Sequence, residues 1–375
     1  MHGDGKRLLI TGGFTGLGGA ERTLMPLAAR LCEAGYELTL LLLRPADRPQ
    51  FFDDFPGTVT FAPGASLRHK AQTLMQLRRA VAAADLVIAT SELTYTYATW
   101  LFAALYRKPL IADVQVHLSR WIDDNCHPLH HHLSRLIYPR IPFVRCVSEG
   151  LVEDMRVRYK VPEKNLCVIY VPFDTEAIAR AARLSVPAEH EHFFSRPAIV
   201  SSGRFTTQKR FDIAIRALLS LRERHGIDAH LLILGDGELR PQLEAQVREL
   251  KLEERVFMPG FADNPHAYVA RAQVFLLSSD YEGLPRVLIE ALAAGCPAVA
   301  TDCPSGPQEI LEGGRHGLLT RMGEPEEIAS ALARVLTQDD LAARLRREGP
   351  RRAAAFDWQH AIRQYQSLLR QAAAQ

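Results

Sequence analysis

A chain of 375 residues is too long for one small core, and two domains are the natural expectation. Hydrophobic residues at 47% and charged residues at 23% describe an ordinary globular protein, and a net charge of +2 with no terminal basic arm excludes the electrostatic footprint of a nucleic-acid binder. No apolar run reaches membrane-span length, Met1 to Arg7 leads straight into a strand, and the six cysteines form no C-x-x-C pair. The sequence is therefore expected to be cytosolic, with reduced, structural thiols.

Leu8-Leu9-Ile10 reads as a buried strand running into the glycine-rich turn Thr11 to Arg22, with a helix from about Ala20 to Ala34. A dinucleotide fingerprint is not completed: Glu21 stands where the third small residue belongs, and the next strand, Leu38 to Leu43, closes on Arg44-Pro45 without an acid. A P-loop is excluded because Gly-Lys-Ser and Gly-Lys-Thr are missing. What remains is a turn that lets backbone approach a ligand. Strands follow at Val59 to Ala62, Leu86 to Ala89, Leu110 to Val116 and Phe143 to Val147, and their alternation with helices predicts a doubly wound parallel sheet.

His117 stands at the carboxyl end of one of these strands, where open α/β sheets place ligands. Cys126 to His132 has no metal-ligand spacing and reads as the start of a surface helix. Tyr95 to Tyr106, followed by Arg107-Lys108, reads as a core helix in preference to a membrane-facing one. Val168 to Asp174 is expected to be a strand and turn. From Ser185 to Pro197 the apolar period disappears, which places the boundary there: a first domain over 1–186, a linker over 187–197 and a second domain over 198–356.

The second series opens with a strand at Ala198 to Ser202. The turn after it carries Arg204 and Lys209, one fork and one point charge suited to a diphosphate. Leu231 to Leu234 ends in Gly235-Asp236-Gly237, and Arg255 to Met258 leads to Pro259-Gly260-Phe261. Val274 to Leu277 is a buried strand that breaks at Gly283 and Pro285, and a helix then starts near Arg286. Glu282 precedes that helix and Glu290 lies two turns along it. The amides near Arg286, Val287 and Leu288 offer an anion site between the two acids. The final helix, 357–371, has a packing stripe of Trp358, Ile362, Tyr365 and Leu368-Leu369.

Together, Gly18-Gly19-Ala20-Glu21-Arg22, Val147-Ser148-Glu149-Gly150, Gly203-Arg204-Phe205 with Lys209, Leu234-Gly235-Asp236-Gly237, Pro259-Gly260-Phe261 and the Glu282/Glu290 pair resemble the retaining glycosyltransferases of family 4. The resemblance covers nearly the whole chain. It implies the α/β GT-B fold, two Rossmann-like domains facing a cleft, with the final helix packing back on the first.

For the residues, the resemblance implies that Arg204 and Lys209 bind the donor diphosphate and that Glu290 binds the ribose. Glu282 and His117 would meet the transferred sugar, Gly18 and Gly19 would approach the phosphates, and Gly235 and Phe261 would belong to the donor site. The donor expected is a UDP-sugar, on the similarity of Asp302 to Pro307 to such members, with no metal and no other cofactor. The acceptor expected is a saccharide or polyprenyl-linked saccharide of bacterial cell-surface glycans, with peripheral association at the cytoplasmic face of the inner membrane and no nucleic-acid partner. A GDP- or ADP-sugar transferase, a catalytically silent GT-B subunit and, more distantly, a redox Rossmann enzyme are the competing readings. Many family members have Asn-Pro where this chain has Val171-Pro172, so any hydrogen bond made by that asparagine is lost.

Overall fold

The computed structural model describes residues 5–13, 19–44, 49–63, 66–91 and 93–374. The chain divides into two compact units, Met1–Pro172 with Trp358–Gln375, and Phe173–Asp357. The final helix thus belongs to the first unit.

The first unit has seven strands: β1 (Arg7–Gly12), β2 (Glu37–Leu42), β3 (Thr58–Phe61), β4 (Leu86–Ala89), β5 (Leu110–Val114), β6 (Phe143–Cys146) and β7 (Leu166–Val168). They run in the order β3-β2-β1-β4-β5-β6-β7, every pairing parallel. Strands covered on both faces need continuous apolar sequence, and β4 and β5 are accordingly buried at every position. The strand order reverses between β1 and β4, the kind of point where open α/β sheets bind ligands. The final helix, Trp358–Ala373, buries Trp358, Ala361, Tyr365, Leu368, Leu369 and Ala372 in the same core as Leu8, Ile10 and Leu31. That spacing is one helical face, and each large side chain so buried contributes about 1.5–3 kcal/mol.

The second unit repeats the plan with β8 (Ala198–Ser202), β9 (His230–Leu234), β10 (Val256–Gly260), β11 (Val274–Leu277), β12 (Ala298–Thr301) and β13 (Leu318–Thr320). Their order is β10-β9-β8-β11-β12-β13, again all parallel, with the reversal between β8 and β11.

Two expectations are corrected. The division falls at 172/173, not within 187–197. Residues 187–197 contain the 3-10 helix Ala188–Phe194, which is part of the second unit. Its Phe193 is buried against Phe257, ring centroids 4.6 Å apart, and the Phe193 carbonyl accepts from His230 Nδ1 at 2.9 Å. Polar residues around one anchoring phenylalanine erase the apolar period without making a linker. The true crossing is short. Phe173 donates its amide to the Phe356 carbonyl at 2.8 Å, beside the point where the chain returns at 357/358. The strand expected at Val168 to Asp174 is instead β7, ending at Val168. Among the described residues no helix is long and apolar enough to cross a membrane.

Candidate functional site

In the second unit, the loops leaving β8, β9 and β11 carry most of the residues singled out in the sequence. The first two are packed backbone on backbone. Gly235 has φ +131°, and a Cβ there would overlap the Gly203 carbonyl, while a Cβ on Gly237 would sit 2.6 Å from the Phe205 nitrogen. Only glycine allows that approach. The contact is fixed by hydrogen bonds from Gly203 N to the Leu234 carbonyl (3.0 Å) and from Phe205 N to the Asp236 carbonyl (2.9 Å). Phe205 is fully buried, so its neighbour Arg204 turns outward, exposed, with no hydrogen bond or ion pair to its guanidinium among the described residues.

Lys209 closes the short turn Thr207–Lys209, and this turn is stitched to the loop after β11. Ser278 Oγ donates to the Lys209 carbonyl (2.8 Å), Asp280 N to the Gln208 carbonyl (2.9 Å) and Gln208 Nε2 to the Tyr281 carbonyl (2.8 Å). Arg210 pairs with Asp212 at 3.0 Å and Asp280 at 2.9 Å, and these carboxylates, Asp212 foremost, raise its pKa above the ordinary value. The stitching sets Lys209 Nζ 2.6 Å from Glu282 Oε1, and Ser279 Oγ donates to the same oxygen at 2.7 Å. The Glu282 side chain is 8% exposed and that of Lys209 17%, so the pair is largely desolvated. One of the three ammonium donors is used, leaving two for a ligand.

The chain turns at Gly283-Leu284-Pro285 and enters the helix Arg286–Ala293. Gly306, at φ +91°, packs so tightly here that a Cβ would strike the Pro285 ring. Pro285 offers no side-chain cap, but its carbonyl accepts the Leu288 amide at 3.0 Å. At the anion site expected at this helix start, the Leu288 amide is thus already engaged in one hydrogen bond. Arg286 lies over the Phe173 ring (4.5 Å to the centroid), with Nε 4.0 Å from Glu290 Oε1. Phe261, just past β10, is 78% exposed, while Gly235 N donates to the adjacent Gly260 carbonyl at 2.8 Å.

In the first unit, Gly18 lies outside the described residues and Gly19 is the first residue of the helix Gly19–Glu33. His117 precedes the helix Leu118–Asn125, beyond the end of β5. Its Nδ1 is 3.6 Å from Asp154 Oδ2 and 3.3 Å from Ser119 Oγ, and Ser119 N donates to Asp154 Oδ2 at 3.1 Å. Burial pushes the His117 pKa below its ordinary 6.5, with the Asp154 charge working against that shift. The ring's Nδ1 is turned to Asp154 and Ser119.

Asp154 was not singled out in the sequence. A signal was available: with Leu151, Met155 and Tyr159 it forms the buried face of the helix Glu149–Tyr159, and an acid on such a face needs a partner. The histidine stretch forms the helix Leu129–Ile137, where His131 lies between Asp123 (2.9 Å) and the Tyr159 hydroxyl (3.0 Å). Among the described residues no group of three His, Cys, Asp or Glu is arranged to hold a metal.

Residues 17–177 match the family model described as Glycosyltransferase Family 4, and residues 185–352 the model described as Glycosyl transferases group 1. The chain is 32% identical over 225 residues to the N-acetylgalactosamine-N,N'-diacetylbacillosaminyl-diphospho-undecaprenol 4-alpha-N-acetylgalactosaminyltransferase of Campylobacter jejuni, covering 60% of this chain and 59% of that one. It is 33% identical over 168 residues to the lipopolysaccharide core biosynthesis glycosyltransferase LpsE of Rhizobium meliloti, covering 45% and 46%. It therefore spans about half the length of the curated relatives it matches.

Among solved structures, Anabaena Alr3699/HepE in complex with UDP and glucose superimposes with a TM-score of 0.82 at 20% identity, covering 98% of this chain and all of that one. At that identity the likeness concerns the fold, the two-unit α/β architecture of the GT-B class. With glycosyltransferase models matching residues 17–177 and 185–352, the first of them that of family 4, the protein belongs to glycosyltransferase family 4.

Proposed function

We propose that the protein is a retaining glycosyltransferase that moves a hexose or N-acetylhexosamine from a UDP-sugar to a saccharide or lipid-diphosphate-linked saccharide acceptor. The observation that carries this reading is the desolvated Lys209–Glu282 pair, which ties the turn after β8 to the loop directly before the helix that bears Glu290. The reaction breaks the bond between the anomeric carbon and the β-phosphate oxygen, leaving the electron pair on the diphosphate. Arg204, its guanidinium exposed and unpartnered among the described residues, and the two remaining donors of Lys209 supply the positive charge that this leaving group needs.

The acceptor hydroxyl attacks from the same face and passes its proton to the departing diphosphate, which preserves the anomeric configuration. Glu282 fixes the ammonium and presents its carboxylate to the sugar, and Glu290 accepts hydrogen bonds from the ribose. His117, beside Asp154, is assigned to the transferred sugar on the family resemblance. The UDP donor is supported by the complexes of the Anabaena protein with UDP and glucose, and the lipid-diphosphate acceptor by the name of the Campylobacter relative. Such an acceptor would place the protein at the cytoplasmic face of the inner membrane.

The two acids separate the assignments. By calorimetry, Glu290→Ala weakens UDP binding about 10-fold or more, the loss of a charge-assisted hydrogen bond. Glu282→Ala leaves UDP binding within a few-fold of wild type and lowers transfer. The reverse pattern would show that the two roles are exchanged, and unchanged binding and transfer in both would dismiss this site.

A further inference from the structure

We propose that Ser305 is a specificity-determining residue of the donor site, its hydroxyl meeting a polar group of the transferred sugar. The inference rests on the donor-site reading above and adds a contact that tells one sugar from another. It comes from two costs that fall on one residue. The first is in the backbone: Ser305 has φ +69°, in the left-handed region that side chains resist. Lys160, Lys251 and Glu312 share that conformation, but each lies just past a helix, where it is routine. Ser305 follows no helix. It stands in the loop between β12 and the short helix Pro307–Ile310.

The second cost is in the side chain. Ser305 is 9% exposed, and its Oγ is buried without a hydrogen-bond partner among the described residues. Glycine at this position would remove both costs, and the next residue, Gly306, is one already. Strain and an orphaned hydroxyl kept together at one position call for a partner that arrives with a ligand.

The attachments of the loop say which part of the ligand. Thr301 Oγ1 donates to the Ser279 carbonyl at 2.6 Å and Asp302 N to the Thr320 carbonyl at 2.7 Å, which fixes the start of the loop. The Pro304 carbonyl accepts the Glu282 amide at 3.3 Å, and a Cβ on Gly306 would lie 3.3 Å from the Gly283 carbonyl oxygen as well as against Pro285. The residues on either side of Ser305 thus grip the turn Glu282–Pro285, whose carboxylate is the one assigned to the sugar. The groups assigned to the nucleotide come from other segments, Arg204 and Lys209 after β8 and Glu290 from its helix. An Oγ that nothing holds turns among three staggered χ1 wells, and a hydroxyl both donates and accepts, so it can meet a sugar substituent seated against this turn.

The melting temperatures of wild type, Ser305→Gly and Ser305→Ala are measured alone, with UDP, GDP and ADP, and with UDP-glucose, UDP-galactose, their N-acetylated counterparts, GDP-mannose and ADP-glucose. Wild type is expected to prefer one sugar over the others, and both variants to lose about 5-fold or more of that preference at unchanged affinity for the free nucleotide. Without ligand, Ser305→Gly should melt about 2–4 °C above wild type and Ser305→Ala no lower than wild type. The preference is read with whichever nucleotide binds, so an error in the choice of UDP is recorded separately. Lower melting temperatures in both variants would make the hydroxyl structural, and loss of preference in Ser305→Gly alone would trace it to loop flexibility. An equal loss of nucleotide affinity would move the contact to the diphosphate. Any of these, a preference that survives in both variants, or a wild type without one would overturn the proposal.

Discussion

Lys209→Ala lowers the rate of sugar transfer by about 10²–10³-fold, equivalent to ~2.7–4 kcal/mol of transition-state stabilisation. The argument rests on where charge develops. A departing diphosphate gains negative charge in a site whose polar groups are already held in place, and Lys209 is fixed through its own carbonyl by Ser278 and through Nζ by Glu282. No reorganisation is needed as the bond breaks. Removing the ammonium also strands Glu282, 6% exposed, with Ser279 as its remaining partner in the pair's geometry. A buried carboxylate that loses its cation is left uncompensated, and the fold is weakened as well. The two effects can be separated: Lys209→Met combined with Glu282→Gln removes both charges and should recover stability without recovering transfer. Recovery of both in the double variant would make the pair structural. The readouts are initial transfer rates at saturating donor, alongside melting temperatures.

The largest effect on stability is expected at Arg145. It lies on β6, 2% exposed, with Nη1 2.5 Å from Asp113 Oδ1, Nη2 on the Ile169 carbonyl and its guanidinium 5.1 Å from the Tyr365 ring centroid on the final helix. Burial opposes its charge, but Asp113 outweighs this and the pKa stays above the ordinary value. Gln115 Nε2 donates to the other Asp113 oxygen at 2.7 Å, so the acid is satisfied on both sides. Arg145→Met would leave Asp113 inside the sheet without its cation, at a cost of about 3–5 kcal/mol. In a unit of this size that lowers the melting temperature by roughly 6–20 °C. Adding Asp113→Asn should return a substantial part of the loss. A shift below about 2 °C in Arg145→Met would show that the network contributes little.

The sequence made the sheets legible because parallel strands buried on both faces must be apolar throughout. β4 and β11 are such runs, and they lie where the apolar runs predicted them. The turn glycines were legible for an equally direct reason, since Gly235 and Gly306 occupy backbone conformations that side chains resist. Edge strands were harder. β7 is half-buried along its length and β13 at two of its three positions, with too few apolar residues to form a run.

Pairings between distant residues had no local mark that named the partner. Arg145–Asp113 and His117–Asp154 join residues 32 and 37 positions apart, and Lys209–Glu282 joins residues 73 apart. The types and positions of Lys209 and Glu282 pointed to the site through the family resemblance, but their mutual grip follows from the stitching of two loops. The misplaced boundary has a similar origin, because Phe193 holds a polar segment that reads as a linker.

The central claim, a donor site for a UDP-sugar, is tested most directly by the melting temperature of the purified protein titrated with UDP, GDP and ADP. A ligand at about 100 times its dissociation constant adds roughly 2.7 kcal/mol to the folded state. The account predicts a saturable upward shift with UDP that GDP and ADP match only at much higher concentration. A larger shift with GDP or ADP, or no shift with any of the three, would contradict it.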